Sequence, residues 1–151
     1  MRPILTDPDP ALRTVCAPVT AFDTDLAVLA AEMLDVMYAA PGRGLAAPQI
    51  GVLSRVFVMD ADWKTGTPAP QVFVNPQIVA SGETLVACDE ACLSIPGRTV
   101  SVTRPGQVTL RWQGLDGAVA ERVFDGVEAV IVQHERDHLD GVLCTDLGVD
   151  V

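Results

Sequence analysis

The sequence is poor in histidine and in positive charge, and it contains no long apolar run. Only two histidines and ten lysine and arginine residues occur among 151 residues, against twenty aspartates and glutamates, which gives a formal net charge of −10. This balance disfavours nonspecific binding to nucleic acid or to anionic membranes. No apolar stretch reaches the length of a transmembrane helix. These absences favour a globular protein whose charge serves solubility.

A secretory signal is also missing from the sequence. The first ten residues are rich in proline and aspartate and lack the apolar segment of a signal peptide. We therefore expect a cytoplasmic protein whose cysteines are thiols or metal ligands rather than a disulfide framework. These cysteines are Cys16, Cys88, Cys92 and Cys144. The length, without repeats or linkers, predicts a single domain over residues 1–151.

The hydrophobic pattern predicts an α+β fold, with short antiparallel strands and two segregated helices. Residues 1–22 are predicted to be extended, and Asp23 or Thr24 is predicted to cap an amphipathic helix that ends near Pro41. Short apolar runs bounded by turn residues predict strands, and residues 62–70 predict an exposed loop. The predicted strands cover residues 56–59, 72–74, 85–88, 108–112 and 119–123. A second helix is predicted to begin at Asp125 with a capping box to Glu128, and to end at Gly141.

Both histidines lie on this second helix. His134 and His138 are four residues apart, so their side chains share one helical face, and Glu135 directly follows the first. This is the H-E-x-x-H arrangement, in which two imidazoles bind a metal ion and the glutamate reaches a water molecule. The alternative is a pair of core histidines. Chance placement of the only two histidines in this pattern is expected roughly once in 2,000 such sequences, which favours the metal site.

Two histidines do not complete a hydrolytic metal site, which usually has three protein ligands. Glu135 leaves the helix about 100° from the histidine face, so it is better placed as a base than as a ligand. Cys144 occupies the third-ligand position of a metzincin pattern, but metzincins need a downstream methionine, and all four methionines lie upstream of the motif. Residue chemistry by itself therefore leaves Cys92 and Cys144 as competing third ligands.

A glycine-rich segment at residues 42–51 predicts a loop that lets another group approach the backbone. A phosphate-binding loop is excluded because no Lys-Ser or Lys-Thr pair follows the glycines. Gln49 is the side chain of this segment that can donate hydrogen bonds into a site. Taken without further context, Gln49 is more typical of an ordinary turn glutamine.

Three segments together resemble the peptide deformylase family, and the resemblance extends over nearly the whole chain. Residues 42–49 read Gly-Arg-Gly-Leu-Ala-Ala-Pro-Gln, residues 90–94 read Glu-Ala-Cys-Leu-Ser, and residues 134–138 read His-Glu-Arg-Asp-His. The family motifs G-x-G-L-A-A-x-Q, E-G-C-L-S and H-E-x-D-H occur in the same order. Residues 8–13, Pro-Asp-Pro-Ala-Leu-Arg, also fit the family.

The resemblance implies a role for each motif residue. It implies that Cys92, His134 and His138 hold one metal ion, that Cys144 is structural, and that Glu135 is the general acid and base for a metal-bound water. It further implies that the Gln49 side chain and the Leu93 backbone N–H stabilise the oxyanion. Further residues are implied to have supporting roles: Arg43, Gly44 and Ala91 in contact with substrate, and Arg104 in an ion pair with Asp137.

The resemblance also implies a cofactor and a substrate. The metal is expected to be Fe²⁺ in the cell, with Zn²⁺ or Ni²⁺ able to replace it, and the substrates are N-formyl-methionyl nascent peptides. Ala91 replaces the motif glycine, which raises the alternative of another formyl or acyl substrate, or of a metal-binding homologue of low activity. Cleavage of internal peptide bonds is a further alternative. The family often has a long C-terminal helix, which has no counterpart in this sequence. The resemblance implies transient ribosome association, but not through such a helix.

Overall fold

The computed structural model describes residues 2–151, and its architecture is the predicted α+β class. Antiparallel pairing forms two sheets, a five-stranded sheet of order β1-β2-β3-β6-β7 and a three-stranded sheet of order β4-β5-β8. No helix within residues 2–151 is both long and apolar enough to cross a membrane. The elements, in chain order, are α1 (Thr24–Ala39), β1 (Gly44–Ala46), β2 (Val56–Met59), β3 (Gln71–Ser81), β4 (Leu85–Cys92), β5 (Ile95–Pro105), β6 (Gln107–Gln113), β7 (Val119–Asp125), α2 (Gly126–Leu139), α3 (Cys144–Leu147) and β8 (Val149–Asp150).

The α2 helix packs against the larger sheet and forms one side of the main core. Its buried apolar residues Ala129, Val132 and Leu139 belong to the same cluster as Phe57 and Phe73 of the sheet. A second cluster joins α1 to β1 and β2, and a third lies under the smaller sheet and contains both Cys92 and Cys144. Burying one apolar face of each element in this way supplies most of the stabilisation of the fold. It also holds α2 against the larger sheet.

Several sequence predictions match the structure closely. Asp23 caps α1, with its carboxylate accepting a hydrogen bond from the backbone N–H of Leu26. Strand β2 has the predicted bounds, the hairpin from β6 to β7 is present, and residues 62–70 contain no helix or strand. These elements have strong local signals, namely a capping residue, an apolar run or a turn sequence.

Other predictions were wrong in detail. Asp125 stands at the N-cap of α2, but its side chain makes no capping hydrogen bond, so the predicted capping box is absent. Glu128 pairs instead with Arg122 of the adjacent strand. Residues 42–51 are not simply a loop, because they contain β1 and a 3₁₀ helix over Ala47–Ile50. A further 3₁₀ helix, Pro10–Arg13, interrupts the extended N-terminal segment.

Long-range pairing accounts for the strands that the sequence pattern did not reveal. Strand β5 was not predicted, although it pairs with nearly the full length of β4. Strand β3 continues seven residues beyond the predicted Val74, through bulges, because β6 pairs along it. Strand β8 is a two-residue pairing with β5. Such pairings depend on cross-strand partners rather than on local propensity.

Candidate active site

Helix α2 presents the H-E-x-x-H residues at buried positions. His134, Glu135 and His138 are each less than 9% exposed. The two imidazole ring centres are 5.0 Å apart, as expected for residues one helical turn apart on the same face. The opposite side of α2 is anchored in the main core by its apolar residues. The helix therefore holds both histidines in a fixed orientation.

Strand β4 brings Cys92 to the histidines. The Cys92 Sγ atom lies 3.4 Å from the His138 Nε2 atom. The ligand atoms of Cys92, His134 and His138 all lie within 4.8 Å of one another, which is close enough for one metal ion. One thiolate and two imidazoles form a donor set suited to borderline-soft divalent metals. The residues present thus fit the metal that the H-E-x-x-H motif implies.

The competing thiol, Cys144, belongs to a different group. Its Sγ atom, together with Glu90 and His134, forms a second set of ligand atoms within 4.8 Å of one another. Cys92 borders the hollow above α2, whereas Cys144 does not. Burial also raises the pKa of the Cys144 thiol, which favours its protonated, non-ligating form. Both observations favour Cys92 as the third ligand.

A buried charge network supports the histidine pair, and sequence reasoning missed its central residue. Glu90 accepts a hydrogen bond from His134 Nδ1 at 2.9 Å and two from the Arg104 guanidinium at 2.7 and 2.9 Å. Arg104 also donates to Asp137 at 2.8 Å, so the expected ion pair is present. Glu90 could have been found from its position, because residues two apart in a strand share a face, and Cys92 faces inward. A carboxylate on Nδ1 leaves the Nε2 atom of His134 free for a metal.

The network also sets the protonation of these groups. Burial alone would raise the pKa of Glu90, but hydrogen bonds from Arg104 and His134 outweigh burial and lower it, so Glu90 stays ionised. Burial would lower the pKa of His134, but its hydrogen bonds with Cys92 and Glu90 raise it well above the ordinary value. Burial, together with the charge of His134, lowers the pKa of His138. Metal ligands must be deprotonated, so metal binding by these side chains would depend on pH.

Glu135 occupies an apolar and confined position. Burial raises its pKa to about 7. Its Oε1 atom is buried without a hydrogen-bond partner among residues 2–151. Gly44 packs closely over it, since a Cβ atom at position 44 would lie 2.7 Å from Glu135 Oε2. The second glycine of the G-x-G segment is therefore explained by its close approach to the glutamate.

Gln49 lies in the Ala47–Ile50 helix, and its side chain is oriented by Ala46 and Ser94. Its Oε1 atom accepts a hydrogen bond from the Ala46 backbone N–H at 2.9 Å. Its Nε2 atom donates to Ser94 Oγ at 3.0 Å and lies 3.7 Å from Cys92 Sγ. The amide nitrogen is thus directed at the predicted metal group, which an ordinary turn glutamine would not require. Leu93 and Ser94 form the two-residue turn between β4 and β5, next to Cys92.

These residues surround one hollow of about 400 Å³. One wall is the segment through β1, the other is β4, and the floor is α2. Both walls are edge strands, so each has one row of backbone groups without a strand partner. Except for His138, which lies beneath, all of the predicted site residues line it, namely Arg43, Gly44, Gln49, Ala91, Cys92, Leu93, His134 and Glu135.

Comparison with known proteins identifies the family to which a chain with this site belongs. A family model described as polypeptide deformylase matches residues 1–149. The chain belongs to the polypeptide deformylase family. It is accordingly a deformylase, a hydrolase of the metalloenzyme type, and the arrangement of Cys92, His134 and His138 accommodates such a metal. The resemblance read from the three sequence motifs is confirmed.

Individual deformylases are similar along almost the whole chain. The peptide deformylase of Mesorhizobium japonicum is 45% identical over 146 residues, covering 97% of this chain and 83% of that protein. The crystal structure of the Thermotoga maritima enzyme superposes with a TM-score of 0.92 at 37% identity, covering 97% of both chains. The structure from Synechococcus elongatus, in complex with actinonin, gives a TM-score of 0.94 at 37% identity, covering 97% of this chain and 80% of that one.

Proposed function

We propose that the protein binds newly made polypeptides in this hollow and removes the formyl group from their N-terminal formyl-methionine. The observation that carries this assignment is the convergence of three elements on one small space. Helix α2 contributes His134, His138 and Glu135, strand β4 contributes Cys92, and the Ala47–Ile50 helix contributes Gln49. An amide carbonyl held in this space meets a metal group, a base and hydrogen-bond donors together.

We assign the metal to Cys92, His134 and His138, with Fe²⁺ as the ion in the cell and Zn²⁺ or Ni²⁺ as replacements. The bound ion supplies Lewis acidity, which lowers the pKa of water and polarises the formyl carbonyl. Glu90 holds His134 in the tautomer that leaves Nε2 available. A thiolate ligand next to Fe²⁺ makes the loaded protein sensitive to oxidation, so anaerobic handling preserves activity.

Glu135 acts as the general base and then as the general acid. The residue lines the hollow, and its Oε1 atom has no hydrogen-bond partner among residues 2–151, so the carboxylate is free to accept a proton from the attacking water. The carboxyl group then gives that proton to the nitrogen of the leaving methionyl amine. The deformylated amine and formate are the products. Proton transfer of this kind typically contributes about 10²–10⁴-fold to the rate.

Gln49 and Leu93 stabilise the negative charge that develops on the formyl oxygen. The Gln49 Nε2 atom is aimed at the metal group by the hydrogen bonds to Ala46 and Ser94. The Leu93 backbone N–H lies in the turn beside Cys92 and makes no backbone hydrogen bond to residues 2–151. Donors that are oriented before the reaction need no reorganisation at the transition state.

The peptide lies as an added strand between the free edges of β1 and β4. Gly44 and Ala91 belong to these two edges, and Arg43 stands at the mouth. Main-chain hydrogen bonds to an edge strand bind peptides of many sequences. The methionine side chain has an apolar wall available at Val130 and Ile131 of α2.

The decisive test is a comparison of two tripeptides. Protein purified anaerobically with Fe²⁺ is assayed on formyl-Met-Ala-Ser and acetyl-Met-Ala-Ser, with product amines measured. We expect turnover of the formyl peptide and little of the acetyl peptide. Preference for the acetyl peptide would instead support another acyl substrate, which Ala91 in the wall of the hollow makes the second candidate. Cleavage between methionine and alanine would indicate an endopeptidase.

We place the activity in the cytoplasm, where ribosomes expose nascent N-termini, and treat residues 1–151 as one functional domain. The ribosome contact expected from the resemblance is tested by cosedimentation with ribosomes at low and at physiological salt. Binding that survives physiological salt supports a docking surface. Absence of ribosome binding at low salt as well as at physiological salt would mean that the enzyme encounters its substrates by diffusion.

A further inference from the structure

The positive side chains of this protein are almost all paired with carboxylates. Of the nine arginines and one lysine, eight have a carboxylate oxygen within 4.0 Å. Only Arg43 and Lys64 have no such partner among residues 2–151. In a chain with twenty aspartates and glutamates, two unpaired cations are exceptional. Both of them line the hollow above α2.

The two cations are held on segments that are bonded to each other. The backbone N–H of Asp60 donates to the Arg43 carbonyl at 2.9 Å. The Trp63 indole N–H donates to the Gly42 carbonyl at 2.9 Å and so ties the loop that bears Lys64 to the wall that bears Arg43. The Lys64 ammonium lies 5.8 Å from the Trp63 ring centre, which is within cation–π range. The two segments that bear these charges are therefore held at the same side of the mouth.

The remaining charges of the hollow are distributed differently. The Glu90 carboxylate is already compensated by Arg104 and His134. Glu135 is buried in the floor, and Asp89 lies exposed on the β4 wall. A peptide paired with both edges directs successive side chains alternately towards the α2 floor and out to the mouth. A side chain directed to the mouth lies between the two cations on the β1 side and Asp89 on the β4 wall.

We propose that Arg43 and Lys64 form a binding site for an acidic side chain of the substrate. The enzyme then prefers formyl-methionyl peptides that carry aspartate or glutamate at one of the two positions after methionine. This inference rests on the proposed deformylase function of the same hollow. Without these cations, a protein of net charge −10 would repel acidic peptides. Local complementarity offsets that repulsion at the entrance.

The test compares peptides that differ only in charge. Formyl-Met-Ala-Glu-amide and formyl-Met-Ala-Gln-amide form one matched pair, and formyl-Met-Glu-Ala-amide and formyl-Met-Gln-Ala-amide form the other. The amidated C-termini leave the glutamate as the only anion. We expect kcat/KM for the glutamate peptide to be about 3- to 10-fold higher in at least one pair at 20 mM salt, the scale of exposed charge pairs. At 0.5 M salt the ratio should fall towards one, because the screening length becomes short.

Two single-site variants should move the ratio in opposite directions. Lys64→Gln removes a cation and should lower the glutamate-to-glutamine ratio about 2- to 5-fold. Asp89→Asn removes the opposing anion and should raise it. Arg111→Gln is the matched control, because Arg111 is exposed, pairs with Glu121 and does not line the hollow. It changes the net charge by the same amount as Lys64→Gln and should leave the ratio unchanged.

The possible failures are distinguishable. One outcome is that the glutamine peptides are turned over well, but kcat/KM of the glutamate peptide is no higher than that of its glutamine partner in either pair at low salt. This outcome would overturn the inference and leave the deformylase function intact. Equal effects of Lys64→Gln and Arg111→Gln would assign the preference to net charge and would also overturn it. Absence of turnover on every formyl peptide by metal-loaded protein would contradict the proposed function, and this inference with it. Thermal unfolding of each variant confirms that the fold is kept.

Discussion

Cys92 and Cys144 both come near His134, but only Cys92 borders the hollow. We expect Cys92→Ala to lose most of its bound metal and Cys144→Ala to keep about one ion per chain, because only Cys92 completes the group with both histidines. Metal content is measured by mass spectrometry after reconstitution with Zn²⁺ and with Fe²⁺. Full retention in Cys92→Ala with loss in Cys144→Ala would reverse the assignment.

Glu135 and Gln49 are expected to matter for turnover and not for metal binding. Glu135→Gln should retain the ion yet lose about 10²–10⁴-fold in kcat, because the base is removed while the ligands are unchanged. Gln49→Ala should lose on the order of 10²-fold in kcat, as for other oxyanion donors. Steady-state kinetics on formyl-Met-Ala-Ser, paired with metal analysis of the same samples, checks both values. Near-full turnover by metal-loaded Glu135→Gln would contradict the mechanism.

Ala91 replaces the motif glycine and lines the hollow. The residue lies within β4, opposite Thr99, and is not among the residues with positive φ. Its backbone therefore does not require glycine, and we expect the methyl group to act by crowding the hollow. Ala91→Gly should raise kcat/KM on formyl-Met peptides by a few-fold to roughly 10²-fold, at unchanged metal content. An equal or lower kcat/KM would make the alanine neutral and would remove the support for an altered substrate.

Strands β4 and β5 and helix α2 are joined by the buried ion pairs of Arg104. The Arg104 and Glu90 side chains are 7% and 4% exposed. Removing the guanidinium leaves the Glu90 carboxylate buried without its main partner. We expect Arg104→Met to lower the free energy of unfolding by about 3–5 kcal/mol, the cost of breaking a buried pair. Urea denaturation of the metal-free protein measures it.

An exposed pair provides the control for this element-scale prediction. Arg111 and Glu121 are 51% and 46% exposed and join β6 to β7. Arg111→Met should change stability by about 0–1 kcal/mol, because water screens the pair. Comparable losses in the two variants would show that burial does not decide the effect of the Arg104 network.

At the scale of the whole molecule, the N-terminal segment is attached to the end of the chain. The Cys16 backbone N–H donates to the Leu139 carbonyl at 2.8 Å, and a Cβ atom on Gly141 would lie 2.7 Å from the Arg13 backbone. Arg13 also forms an ion pair with Asp146 of α3. These contacts hold the segment that follows α2 against residues 10–16. Both lie beside the apolar cluster that contains Cys92.

The Arg13–Asp146 pair should make a small part of the stability depend on pH. The hydrogen bond from Arg13 lowers the pKa of the Asp146 carboxyl below its ordinary value near 4. A lowered folded-state pKa stabilises the protein above the unfolded value, and this contribution is lost as the pH falls through the folded value. At pH 6 the free energy of unfolding of the wild type should exceed that of Arg13→Gln by at most about 1 kcal/mol, since the pair is exposed. The urea midpoints of the two proteins should approach each other as the pH falls from 6 to 3. A difference at pH 3 equal to that at pH 6 would show that the pair does not make stability depend on pH.

The sequence by itself determined the class of the fold and the chemistry of the metal helix. The spacing of His134 and His138 fixes two imidazoles on one face, because helical geometry is local. The cap at Asp23, strand β2 and the hairpin from β6 to β7 likewise depend on neighbouring residues. The three ordered motifs were sufficient to recognise the family, and the family match confirms this.

Only the tertiary structure decided which groups meet around those histidines. Cys92 and Cys144 are chemically alike, and their positions relative to the hollow follow from how β4 borders it together with α2 and how α3 packs on β4 and β5. Glu90 and Ser94 gained their roles through partners more than ten residues away in sequence, and β5 gained its full length by pairing along β4. Such long-range contacts depend on the packing of the whole chain, which no local pattern records.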